Sequence, residues 1–256
     1  MQKEVHKNLL ALAKNIVKTA SKEILNDLDQ MRQVSKQLHR DVKILADNEL
    51  DKFIVEQLSQ RSSFPVLSEE SGHSQTSNSK NNYRWIVDPI DGSINFSRGI
   101  PICCISIAFW KDMTPLLGVI YDFNRDELFS GIVGEGAWLN DSPISISPTR
   151  HVSKAILATG FPVSSDFSQE TILKFADNVK IYQKIRLLGS AALSLAYVAC
   201  GRVDVYQEKD IKIWDVAAGI ALVRAAGGVT RLIPSNINKN VTVYAYNFNL
   251  KDKLSE

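Results

Sequence analysis

At 256 residues, of which 45% are hydrophobic, the chain can bury a substantial core as one large domain or two small ones. With 30 lysines and arginines against 28 aspartates and glutamates it is close to neutral, which argues against a nucleic-acid polymer or an anionic membrane as its main partner. Its 3 cysteines, two of them adjacent at Cys103 and Cys104 in an apolar run, are too few for a disulfide framework and read as reduced thiols. No apolar run approaches the roughly 20 residues of a membrane helix, and the N-terminus lacks signal-peptide order, so the expected location is the cytoplasm.

Apolar side chains at Val5, Leu9, Leu12, Ile16, Ala20, Ile24, Leu28 and Met31 repeat close to the helical period and predict one long amphipathic helix over the first thirty residues. A second helix is expected from about Asp47 to Gln60, ending before Phe64-Pro65. A short strand, Val66 to Ser68, leads into Glu69 and Glu70. The polar stretch between Gly72 and Asn82 has nothing to pack and predicts a mobile loop. Strand character returns at Trp85-Ile86-Val87 and runs as a meander from Cys103 to Val133, with turns at Lys111 to Thr114 and at Asn124-Arg125-Asp126. The C-terminal half alternates. Strands are expected near 155–159, 185–188, 203–207, 229–232 and 241–246, with helices near 169–178, 190–200 and 214–226. Sheets interleaved with helix layers are the natural packing, in one chain of two halves, 1–150 and 151–256.

Three separated segments end apolar strands or open helices with carboxylates. These are Glu69-Glu70, Asp88-Pro89-Ile90-Asp91, which Pro89 and the following Gly92 would hold as one tight turn, and Trp214-Asp215. A single such carboxylate is ordinarily solvated or set against a helix dipole. Three together suit hard divalent cations, which take oxygen ligands and need carboxylates converging from different segments. The 4 histidines are widely scattered, which disfavours a histidine-based zinc or iron centre. Gly92-Ser93-Ile94-Asn95 reads as the start of a short helix whose free amides at Gly92 and Ser93 can hold a phosphate.

LSEESG, WIVDPIDGSINF and IWDVAAG, in that order, resemble the signatures of the inositol monophosphatase family, and the likeness extends over nearly the whole chain. The resemblance implies an α+β fold built as a layered αβαβα sandwich, a homodimer, two or three Mg²⁺ per active site and inhibition by Li⁺. Carried over by position, Glu69, Asp88 and the Ile90 carbonyl would bind one metal, and Asp88, Asp91 and Asp215 the second. A third Mg²⁺ would rest partly on Glu69. In RDVKILAD, Asp47 matches the family's acidic partner of the hydroxyl after DPxDG, which here is Ser93 where threonine is more frequent. Taken by itself, Asp47 reads as a helix cap. Lys36 and Glu70 match residues that support the metal ligands. Ala191 and Glu208 match residues that touch the substrate's hydroxyls.

The expected activity is therefore Mg²⁺-dependent hydrolysis of a small phosphorylated polyol or sugar. A 3′(2′),5′-bisphosphate nucleotidase, a fructose-1,6-bisphosphatase and a histidinol phosphatase are alternatives that would use the same metal site. A catalytically dead binding homologue is the alternative outside enzymes, and it predicts a damaged ligand set, whereas every matched position is intact.

Overall fold

The protein is described by a computed structural model over residues 2–38, 41–73, 82–162, 165, 167–235 and 240–250. Helix α1 (Gln2–Asn26) buries Leu9, Ala13, Ile16, Val17, Ala20 and Ile24 along one side. It does not continue through Met31, as the apolar spacing predicts. Asp27 breaks it, because its carboxylate accepts the Gln30 N–H at 3.1 Å and caps a separate turn, α2 (Leu28–Met31). Leu28 and Met31 still pack on the same core. A hairpin that the sequence reading missed follows, β1 (Val34–Leu38) paired antiparallel with β2 (Asp41–Ile44). Its side chains are largely polar, so no buried face announces it.

Helix α3 (Leu45–Arg61) lies beside α1 with Leu50, Ile54 and Leu58 buried. Next come β3 (Val66–Ser68), β4 (Gly72–His73), β5 (Tyr83–Asp91) and the short helix α4 (Ser93–Ser97). The meander is β6 (Cys104–Lys111), β7 (Thr114–Asp122) and β8 (Glu127–Ile132), extended by β9 (Gly136–Leu139) and β10 (Ser142–Ile144). Together these strands form a sheet in the order β10-β9-β8-β7-β6-β5-β3-β4, antiparallel except between β3 and β5. In the polar stretch expected to be a loop, Gly72 and His73 pair with β3, and residues 74–81 lie outside the described residues.

The Asp88 to Asp91 segment, expected as a tight turn, is instead the end of β5, and the turn comes at Gly92. Pairing with β6 shifts register between Asp88 and Asp91. Pro89, which has no N–H to give the ladder, is tolerated at such an irregularity.

The second half supplies β11 (Ile156–Thr159), α5 (Gln169–Ile181), β12 (Lys184–Leu187), α6 (Ala191–Ala199), β13 (Val205–Lys212), α7 (Ile213–Ala225), β14 (Val229–Pro234) and β15 (Asn240–Tyr246). Its sheet runs β12-β11-β13-β15-β14, with β11 parallel to both of its neighbours and the remaining pairs antiparallel.

Helices α1 and α3 cover one face of the first sheet, α6 and α7 lie between the two sheets, and α5 packs beyond β12, giving the layered αβαβα order. The central helices approach the sheet and each other as closely as backbones allow. A Cβ on Gly118 of β7 would lie 2.4 Å from the Ala218 carbonyl oxygen, and one on Gly219 would lie 2.3 Å from Leu195 Cβ. Trp110, fully buried, donates its indole N–H to the Ala217 carbonyl at 3.2 Å and so locks α7 to β6.

Candidate active site

The ends of β3 and β5 and the first turns of α4, α6 and α7 converge on one cleft of about 650 Å³. Carboxylate oxygens of Glu69, Asp88 and Asp215 lie within 4.8 Å of one another there. Each comes from a different element. Glu69 follows β3, Asp88 lies near the end of β5, and Asp215 sits in the first turn of α7. Asp91, Ile90, Gly92, Ser93, Ala191 and Glu208 line the same cleft, and the irregular end of β5 lets both Asp88 and Asp91 face it.

Burial and mutual repulsion dominate the electrostatics. Burial pushes the Asp88 carboxyl well above its ordinary range, and the charges of Glu69, Asp91, Asp215 and Asp47 push the same way. Asp215 is raised first by burial and then by Glu69, Asp91 and Glu208. Burial also raises Asp91, to about 6, although the donors around it oppose the shift. Glu69 is raised by burial, with Lys43 opposing. Among the described residues Asp88 Oδ1 is buried with no hydrogen-bond donor. A buried, unpartnered acidic oxygen amid other carboxylates is costly unless a cation completes it. The all-oxygen donor set suits a hard divalent ion, so the residues present fit the metal that the sequence motifs imply.

Asp47 and Ser93 meet as expected. The Ser93 hydroxyl lies 3.0 Å from Asp47 Oδ1 and 3.0 Å from the Ile90 carbonyl, either of which can accept its proton. The other Asp47 oxygen accepts the Ile44 N–H at 2.8 Å, so this residue is both a cap at the head of α3 and the partner of Ser93. Burial pushes its carboxyl up to about 7, the Ile44 bond and Lys43 pull it down, and Glu69 and Glu70 add to the rise. Gly92, at φ 90, permits the turn between Asp91 and Ser93. A Cβ there would also sit 2.8 Å from the Ile102 carbonyl oxygen.

Lys36 is exposed on β1. The lysine beside the clustered carboxylates is the one paired across the hairpin from it, Lys43 on β2, which donates to Glu69 Oε1 at 2.7 Å and also reaches Glu70 Oε1. Burial works against its charge, but Glu69 and Glu70 outweigh burial and hold the ammonium protonated. Lys43 stands in the same RDVKILAD segment as Asp47, yet only the folded hairpin reveals which lysine reaches the carboxylates. Asn95 is a second omission. Its side-chain amide donates at 2.8 Å to both the Ile102 and Leu188 carbonyls, tying α4 to the loop before α6.

Across the cleft, Glu208 accepts the Tyr206 hydroxyl at 2.9 Å, and burial raises its carboxyl to about 7. Gly160 makes room for it, since a Cβ there would stand 2.7 Å from Glu208 Oε2. The arrangement can hold cations on one wall, accept a proton at Asp47, and offer hydrogen bonds to an alcohol on the other.

The chain matches the model of the inositol monophosphatase family over residues 2–249. It is 39% identical over 208 residues to a Nus factor SuhB of Xylella fastidiosa, covering 80% of this chain and 73% of that protein. It is 36% identical over 223 residues to an inositol-1-monophosphatase of Synechocystis, covering 86% of this chain and 77% of that one. The crystal structure of the extragenic suppressor protein suhB from Bartonella henselae superposes with a TM-score of 0.86 at 34% identity, covering 96% of each chain. The match runs from the first helix past the last strand and takes in every carboxylate of the cleft, so the chain belongs to the inositol monophosphatase family.

Proposed function

We propose that the protein is a Mg²⁺-dependent phosphomonoesterase that hydrolyses a small polyol or sugar phosphate. Family membership supports a phosphatase. The observation that carries the finer reading is the convergence of Glu69, Asp88 and Asp215 within 4.8 Å, with Asp88 Oδ1 unpartnered, next to the Ser93 and Asp47 pair. Glu69, Asp88, the Ile90 carbonyl, Asp91 and Asp215 would hold two or three Mg²⁺. Bound there, the ions supply positive charge to the phosphate and lower the pKa of the attacking water. Ser93 donates to Asp47 and keeps a lone pair free, so its oxygen can accept a proton from that water while its own passes to Asp47 Oδ1. The Gly92 and Ser93 amides face the phosphate, while Glu208 and Ala191 face the alcohol.

The same reading carries Li⁺ inhibition, a homodimer and a cytoplasmic location. Among the described residues no helix is long and apolar enough to cross a membrane. The name Nus factor, borne by the Xylella fastidiosa relative, gives a second reading in which the chain also works within an assembly.

The deciding experiment is a panel of phosphate esters assayed with Mg²⁺ and with EDTA. Turnover of polyol or sugar monophosphates that vanishes with EDTA and returns with Mg²⁺ is expected. Full activity in EDTA would sink the metal reading, and inactivity on every ester with the fold intact would favour the second.

A further inference from the structure

The start of α6 grips Asp91 in a way that the catalytic reading does not use. Asp91 Oδ2 accepts the Ala192 N–H at 2.7 Å and the Ser190 hydroxyl, and it lies 3.8 Å from the Cys104 thiol. Its Oδ1 has only a long contact, 3.4 Å, from the Ala191 N–H. Ser190 is also the cap of α6, its oxygen accepting the Leu193 N–H at 3.2 Å. That bond occupies a lone pair and leaves the hydroxyl's single proton for Asp91. Ser190 is only 4% exposed. One carboxylate oxygen is thus saturated and the other left open, on a residue that lines the cleft.

We propose that Ser190 is a positioning residue for Asp91, holding Oδ2 so that Oδ1 is presented to the divalent cation. The proposal rests on the metal-dependent phosphatase reading. Partners that orient a ligating carboxylate are worth roughly ten- to hundredfold in metal affinity, because a ligand left to rotate must be ordered by the ion itself.

Calorimetric titration of Mg²⁺ into the metal-free full chain tests it. Ser190→Ala should weaken binding by about tenfold, and Ser190→Thr, which keeps the hydroxyl, should stay within about twofold of wild type. Glycine is nearly as good as serine at a helix N-cap yet lacks the hydroxyl. Ser190→Gly should therefore show the same loss of affinity with the helix intact, and it carries the test if the alanine variant does not fold. Wild-type affinity in the glycine variant overturns the proposal. So does a kcat defect that persists at saturating Mg²⁺ with affinity unchanged, which would put Ser190 at the substrate. A wild-type chain that takes up no Mg²⁺ overturns the metal reading and this inference with it, which separates the two failures.

Discussion

Ser93 has one proton and two acceptors at 3.0 Å, Asp47 and the Ile90 carbonyl, so its value to catalysis depends on a hydroxyl and not on bulk. Ser93→Ala should lower kcat by roughly 10²-fold or more, the scale of positioned proton transfer, while calorimetry finds Mg²⁺ still bound. Ser93→Thr should remain active. Near-wild-type kcat in the alanine variant would show that Asp47 and Ser93 do not activate water. In the proposed reaction Glu208 faces the alcohol and would set specificity. Its carboxylate can accept from vicinal hydroxyls, and a substrate lacking them leaves it unpaired. Glu208→Gln should raise KM for a polyol phosphate by about tenfold, which is about 1.4 kcal/mol, and leave an aryl phosphate nearly unaffected. Equal losses on both substrates would mean that Glu208 acts through the metals or the fold. Asp88, Asp91 and Glu69 could be picked out because carboxylates after apolar strands are conspicuous. Lys43 could not, because the two lysines paired in one polar hairpin look alike in sequence, and only the approach of Glu69 and Glu70 separates them.

At the level of elements, α7 carries Asp215, and its seat on the first sheet depends on Gly118. With the Ala218 carbonyl oxygen 2.4 Å from where a Cβ would be, Gly118→Ala must push the helix outward. Overpacking of this kind costs about 1–3 kcal/mol. Chemical denaturation should show that loss, and Mg²⁺ affinity should fall as well, because Asp215 moves with the helix. A destabilised variant with unchanged affinity would mean that α7 adjusts without moving its first turn. The sequence showed α7 clearly as an apolar run opened by a carboxylate. It did not show the break at Asp27, since the apolar spacing runs on through Met31 and only the side-chain cap decides the end of the helix. Nor did it show the irregular end of β5, where Pro89 reads as a turn residue until the pairing with β6 is seen.

Across the whole molecule the clustered acids make stability depend on pH. Asp47 titrates near 7 when folded against an ordinary 3.8, and Glu208 near 7 against 4.5. Both bind a proton more tightly in the folded chain. Their contribution to stability is therefore fully present below the ordinary values and is lost as pH rises through about 7. The Tm of metal-free protein should fall between about pH 5 and pH 8, and Mg²⁺ should raise Tm more at the upper end, where the ligands bind it without giving up protons. Glu208→Gln should flatten part of the slope, since an amide does not titrate. A Tm independent of pH in EDTA would contradict the buried-acid account.

Hydrophobic periodicity and acidic spacing were enough to mark the main helices, the meander, the alternating second half and the carboxylates, because each of these is a property of neighbouring residues. Residues far apart in the chain settle the remainder. Ser93 meets Asp47 across 46 positions and Asp91 meets Ser190 across 99, and no local pattern records either contact. The choice of Lys43 over Lys36, the unpartnered oxygen of Asp88 and the grip of α6 on Asp91 arise only when two sheets and the helices between them close on one cleft. Burial there turns ordinary carboxylates into groups that call for a cation.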